Sequence, residues 1–251
     1  MGQRSAQARI LAAADRLAAR CDALRFGAPA AFVYNPLSYA RAGYAAYVER
    51  FAAAPKTVVL LGMNPGPFGM TQTGVPFGHV GLVRDWMGID VAVGRPAREH
   101  PKRPVEGFAC ARSEVSGARL WGWARSRFGE PSRFFEGFFV LNYCPLAFLE
   151  ESGRNLTPDR LPATGRAPLF AACDEALAEA VAALEPRWLL GIGGFAAAKA
   201  APLAASLGIA TGTIPHPSPA SPAANRGWEA AAEAAFAACG VALPPVERRA
   251  T

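Results

Sequence analysis

The sequence predicts an α/β protein, a three-layer α/β/α sandwich around a central four-stranded, mainly parallel sheet. Two observations carry this reading. Four short apolar runs, at 57–62, 138–142, 187–192 and 209–214, have the length and composition of strands buried on both faces. They alternate with helical stretches, the pattern that covers both faces of a parallel sheet. The chain is 251 residues long, 51% hydrophobic and 18% charged, which excludes a disordered chain and suffices for a core without staples.

Residues 2–25 read as an Ala-rich amphipathic helix, peripheral to the rest. A loop with Pro29, Pro36 and several tyrosines follows, then the first strand. The stretch 63–113 is crowded with Gly and Pro and has little periodicity; loops that long inside a compact domain are usually functional. Helices are expected at 116–128, 168–184, 195–207 and 222–238, with a peripheral tail at 244–251. No repeat or linker-like shift divides the chain, so a single domain over 1–251 is expected.

Composition narrows the function classes. A net charge of +6 fits an anionic partner or a solubility charge equally well. The five cysteines lie far apart with no CxxC, which argues against zinc ribbons, iron–sulfur ligation and thioredoxin chemistry. Their odd number fits free thiols in a reducing compartment. The three histidines (His79, His100, His216) have no metal-ligand spacing, and there is no GxSxG. No secretory signal or membrane span is expected, because the most apolar stretch, 189–215, is cut by Gly191, Gly193, Gly194, Pro202 and Gly208. A soluble, cytoplasmic protein follows from these features.

In open α/β sheets, ligands sit beyond the C-terminal strand ends. Four segments lie there: 62–78, 142–146, 191–196 and 216–229. With the strands parallel, Asn64, Asn142 and His216 converge on one crevice.

These segments resemble the single-strand-selective monofunctional uracil-DNA glycosylases. The resemblance runs from about Tyr34 to Leu243 through GMNPGPFGMTQTGVPFG (62–78), EHPKRPVEGF (99–108), SEVSGARLWGW (113–123), NYCPLAFLEESGRNLTP (142–158), HPSP (216–219) and NRGWE (225–229). It implies the uracil-DNA glycosylase fold and hydrolysis of the N-glycosidic bond of uracil and C5-oxidised uracils such as 5-hydroxymethyluracil. The product is an abasic site, the pathway is base excision repair, and no metal or cofactor is used. DNA, single-stranded or duplex, is the implied partner of a monomer with no membrane association. The compartment is the nucleoid if the source is bacterial and the nucleus if it is eukaryotic.

The resemblance also assigns roles. Asn64 and His216 are the catalytic pair, the first positioning water and the second donating to uracil O2 as negative charge leaves with the base. Pro215 and Pro217 restrict the backbone on either side of His216. Asn142 reads N3–H and O4, a pattern that cytosine inverts. Phe77 stacks on the flipped base, while Met63 and Gly66 belong to its pocket, Gly66 leaving room for a C5 substituent. Pro65, Gly193, Pro217, Ser218, Pro219 and Arg226 are expected at the DNA, with Arg84, Lys102, Arg103 and Arg112 as further candidate charges. Ala220 and Ser221 depart from the family's Arg and Asn after HPSP, which weakens duplex wedging, and His79 replaces a familiar Glu.

Two other classes compete. A dinucleotide-binding reading of Gly191-x-Gly193-x-x-Ala196 lacks the acidic residue that the ribose needs, since 211–217 contains none. A non-catalytic single-strand binder would have no use for Asn64 and His216 together.

Overall fold

The computed structural model describes residues 5–245, so the expected tail lies largely outside the described residues. In chain order the elements are α1 (Ala6–Ala23), β1 (Phe32–Tyr34), α2 (Pro36–Tyr39), α3 (Arg41–Phe51), β2 (Val58–Gly62), α4 (Met70–Thr73) and α5 (Val80–Asp85). Then come α6 (Val115–Phe128), α7 (Pro131–Gly137), β3 (Phe138–Asn142), β4 (Ala147–Leu149), β5 (Asn155–Leu156) and α8 (Ala163–Leu184). The chain continues through β6 (Trp188–Ile192), α9 (Gly194–Leu207), β7 (Ala210–Ile214), α10 (Pro222–Asn225) and α11 (Trp228–Ala238).

The main sheet has four parallel strands in the order β3-β2-β6-β7, as the alternating pattern predicts. Every residue of β2 is buried, because strands flank it and helices cover both faces. The edge strand β7 is largely exposed. From β2 the chain passes to β3 on one side, and from β6 to β7 on the other. Loops therefore leave β2 and β6 in opposite directions and open a crevice between them at the C-terminal ends.

Aromatic packing anchors this sheet. Tyr47 on α3 stacks on Phe139 of β3 at 4.8 Å between centroids, and its hydroxyl donates to the Val140 carbonyl at 3.0 Å. Trp123 on α6 stacks on Phe236 of α11 at 5.4 Å, tying the last helix to the core.

Several elements depart from the sequence reading. The expected loop after α1 holds β1, α2 and α3; Tyr44, Tyr47, Val48 and Phe51 form a buried helical stripe there, hidden by the Ala-rich surroundings. Helix α1 is not peripheral, since Ile10, Leu17 and Cys21 join the main core. A second, antiparallel sheet, β1-β4-β5, was not anticipated because its strands are only two or three residues long. Helix α8 begins five residues before Pro168, which is tolerated because the residue is exposed and water can reach the carbonyl it leaves unpaired. The expected helix 222–238 is two helices, broken at Gly227, whose φ of +116° is a left-handed conformation closed to most side chains.

Candidate active site

Strand register brings the first two site residues together. Gly62 ends β2 directly opposite Asn142, the last residue of β3. A Cβ at Gly62 would lie 2.6 Å from Asn142 Oδ1 and 2.5 Å from the Phe77 ring. Glycine is required here because the amide and the ring close over that backbone. Asn142 Nδ2 donates to Met70 Sδ at 3.4 Å, which turns the amide so that its oxygen lies on the Phe77 side.

Asn64 follows β2 by two residues. Its Nδ2 donates to the carbonyls of Leu146 at 3.1 Å and Pro65 at 3.2 Å. Both donors of the amide are engaged by backbone, so Oδ1 remains an acceptor for a solvent molecule.

Phe77 holds a left-handed backbone, φ +53°, which a non-glycine residue adopts only when its surroundings enforce it. Three contacts enforce it. Trp121 Nε1 donates to the Pro76 carbonyl at 3.2 Å, and His79 N–H donates to the Phe77 carbonyl at 2.7 Å. Gly117 on α6 lies beneath, where a Cβ would sit 1.8 Å from the Phe77 carbonyl oxygen. Glu114 caps the same helix, accepting from the amides of Ser116 and Gly117. Burial pushes the Glu114 carboxyl above the usual carboxylate range, against those amide bonds, which pull it down.

His216 lies beyond β7. Its Nδ1 accepts the Ser218 N–H at 3.0 Å, so the ring proton sits on Nε2. Burial lowers its pKa, and the ring is neutral near pH 7. Its centroid is 6.2 Å from that of Phe77.

A cleft of about 700 Å³ is lined by Met63, Asn64, Pro65, Gly66, Phe77, Asn142, His216, Ser218 and Pro219. Nothing lies within 4 Å of a Cβ built at Gly66, so that wall is open. Gly193, Pro217 and Arg226 are not in the lining. Gly193 backs the His216 ring, with 3.3 Å between a built Cβ and that of His216. Pro217 is buried, and its carbonyl accepts from Arg119 at 2.8 Å. Arg226 is exposed on the turn between α10 and α11. Arg84 pairs with Asp85 at 2.8 Å, and His79 caps α5 by accepting the Leu82 N–H at 3.4 Å.

Sequence reasoning missed Gly62 and Met70 as members of the site, and Glu114, Gly117 and Arg119 as its supports. All five lie inside the motif blocks, but only the folded geometry says what they touch. Among the described residues, no group of three His, Cys, Asp or Glu is placed to hold a metal ion.

The arrangement suits a planar heterocycle. It offers an aromatic face, a fixed amide that can donate and accept, a neutral N–H donor and an acceptor for water.

The sequence pattern described as the uracil DNA glycosylase superfamily matches residues 49–238. The single-strand selective monofunctional uracil-DNA glycosylase of Rattus norvegicus is 51% identical over 219 residues, covering 86% of this chain and 79% of the relative. That of Bos taurus is 50% identical over 212 residues, covering 84% and 78%. In three dimensions the chain is similar to the crystal structure of Pedobacter heparinus SMUG2, with a TM-score of 0.61, 17% identity, and coverage of 90% of this chain and 96% of that one. This last likeness bears on the fold alone.

Proposed function

The chain belongs to the uracil-DNA glycosylase superfamily, and from that premise we propose that it excises uracil from DNA, preferring single strands, by hydrolysis of the N-glycosidic bond. One observation carries the residue assignments: Asn64, Phe77, Asn142 and His216 come from three strand ends and one following loop, yet line a single cleft.

The target base flips into the cleft and stacks on Phe77. The Asn142 oxygen accepts from uracil N3–H, and its NH₂ donates one hydrogen to O4 while the other stays on Met70 Sδ. Cytosine, with an acceptor at N3 and donors at N4, leaves both groups opposed. As the C1′–N1 bond breaks, its electron pair passes into the pyrimidine and negative charge grows on O2. His216 Nε2–H donates to that oxygen. A neutral donor suffices because it is fixed in advance by the Ser218 amide. Asn64 Oδ1 orients a water toward C1′, and the sugar, electron-poor in the transition state, needs little further activation of the nucleophile. As the C1′–O bond forms, the water loses a proton to solvent and the departing uracil anion takes one up on release, leaving free uracil and an abasic site.

The open wall at Gly66 supports acceptance of a C5 hydroxymethyl group. Ser218 and Pro219 lie where the strand enters, whereas Pro217 and Gly193 act from behind, holding the His216 loop. We take the chain to work as one domain and as a monomer. No described helix is long and apolar enough to cross a membrane.

Base release from single-stranded oligonucleotides carrying uracil, 5-hydroxymethyluracil, thymine or cytosine tests this reading. Release of the first two, with alkali-sensitive abasic sites, is expected. Binding without release of any base points instead to a non-catalytic single-strand binder. Ala220 and Ser221 line the cleft mouth without a bulky wedge. Uracil in U·A duplex is therefore expected to turn over at least tenfold more slowly than in single strands, because unpairing the base costs a few kcal/mol. Equal rates would contradict this.

The pH profile follows from His216. Its pKa is depressed by burial below the ordinary 6.5, so kcat/KM should be flat through neutrality. It should fall only as acid protonates Nδ1 and removes the acceptor for Ser218. The sign for stability is the same: the unfolded chain takes up this proton first, so stability declines as pH drops below about 6.5. A rate that rises on acidification would refute the neutral-donor assignment.

Met70→Leu keeps volume but removes the sulfur acceptor. Discrimination between uracil and cytosine, measured as the ratio of kcat/KM values, should narrow by several-fold, since a weak sulfur bond is at stake. An unchanged ratio would show that Met70 only packs.

A further inference from the structure

Phe68 is shared by two hollows. It lines the cleft on one side, and on the other a depression of about 450 Å³ formed with Pro101, Lys102, Arg103, Glu106 and Arg112. Two guanidinium groups from separate segments converge on its ring. Arg103 Cζ lies 5.4 Å and Arg112 Cζ 5.2 Å from the ring centroid. Both distances are within cation–π range, and such stacking positions a guanidinium without consuming its N–H donors.

Those donors are mostly unspent. Arg103 Nη1 donates to the neighbouring Lys102 carbonyl at 2.9 Å, while its Nε is buried without a partner. Among the described residues, no ion pair joins Lys102, Arg103 or Arg112 to a carboxylate. Arg84, by contrast, is neutralised by Asp85. Three cations against the single carboxylate of Glu106 repel one another unless an anion joins them. The convergence of Arg103 and Arg112 on one ring beside the cleft marks a prepared anion seat.

Continuity with the cleft identifies the anion. A strand whose base enters beside Phe68 must carry its next phosphodiester past this depression. We propose that Phe68, Arg103 and Arg112 form the subsite for the phosphodiester flanking the flipped nucleotide, with Lys102 at its rim. The inference rests on the glycosylase reading for its choice of ligand. Guanidinium groups suit a phosphodiester because paired N–H donors match its oxygens.

The test compares wild type with Arg103→Gln/Arg112→Gln, with Phe68→Leu, and with Arg16→Gln as a charge control at an exposed position of α1, where Arg16 pairs with Glu179. Two readouts are taken across a salt series: KM for uracil release from a single-stranded oligonucleotide, and Kd for the same strand without uracil, by fluorescence anisotropy. In the double variant, KM and Kd are expected to rise about tenfold or more near 0.1 M salt, with a salt slope shallower by about 0.7 for each lost phosphate contact. Phe68→Leu should shift both in the same direction by several-fold, because it removes the ring but keeps the charges. It also keeps an apolar side chain, so it remains informative if the double variant fails to fold. KM, Kd and slope matching Arg16→Gln would overturn the subsite. The uracil-free Kd separates this outcome from failure of the glycosylase reading, since it reports the seat even if no base is released.

Discussion

His216→Ala should lower single-turnover release of uracil by about 10²–10³-fold, the usual cost of removing one fixed donor from a developing oxyanion. The reason lies in the loop. The Ser218 amide holds Nδ1 at 3.0 Å, so Nε2–H is aimed before substrate arrives and no reorganisation accompanies charge development. Affinity for a single strand should change little, because the donor matters most once the bond is breaking. His216→Gln, which retains an N–H donor on a looser side chain, should recover part of the loss. A large rise in Kd with an unchanged rate would move His216 from catalysis to strand binding.

Gly62→Ala should be almost as damaging, although the added group is a single methyl. It would meet the Phe77 ring at 2.5 Å and Asn142 Oδ1 at 2.6 Å, closer than real contacts allow. Phe77 has little freedom to retreat, because Trp121, His79 and Gly117 confine its left-handed backbone. The displaced ring and amide should cost about 10²-fold in kcat/KM, the scale of an ångström misplacement. Overpacking should also cost about 1–3 kcal/mol of stability, read from denaturant unfolding. An active variant of normal stability would show that Phe77 and Asn142 can give way without loss, against a rigidly held base site.

Much of this was legible in the sequence because burial on both faces leaves a plain mark. β2, β3 and β6 are continuous apolar runs, and their parallel order follows from the intervening helices. The convergence of Asn64, Asn142 and His216 then follows from the rule that ligands bind at strand ends. Less was legible where local pattern was weak. The strand pair β4-β5 spans too few residues to show alternation, and the stripe of α3 is carried by Tyr44 and Tyr47, read as loop tyrosines. At the site, Met70 looked like any apolar residue, and Gly62 like a strand-ending glycine. Their meaning depends on distances between side chains far apart in the chain. Pro217 shows the converse: a residue expected at the DNA is buried, giving its carbonyl to Arg119.

The central claim is that one pyrimidine is held between Phe77, Asn142, His216 and Asn64. The most direct measurement is a crystal structure with a single-stranded oligonucleotide carrying 2′-fluoro-2′-deoxyuridine, whose electron-withdrawing fluorine slows bond cleavage. The expected result places the uracil ring on Phe77, N3 and O4 against the Asn142 amide, O2 at His216 Nε2 and a water between Asn64 Oδ1 and C1′. A strand bound along the surface with its uracil outside the cleft, or turned with O2 away from His216, would contradict the account.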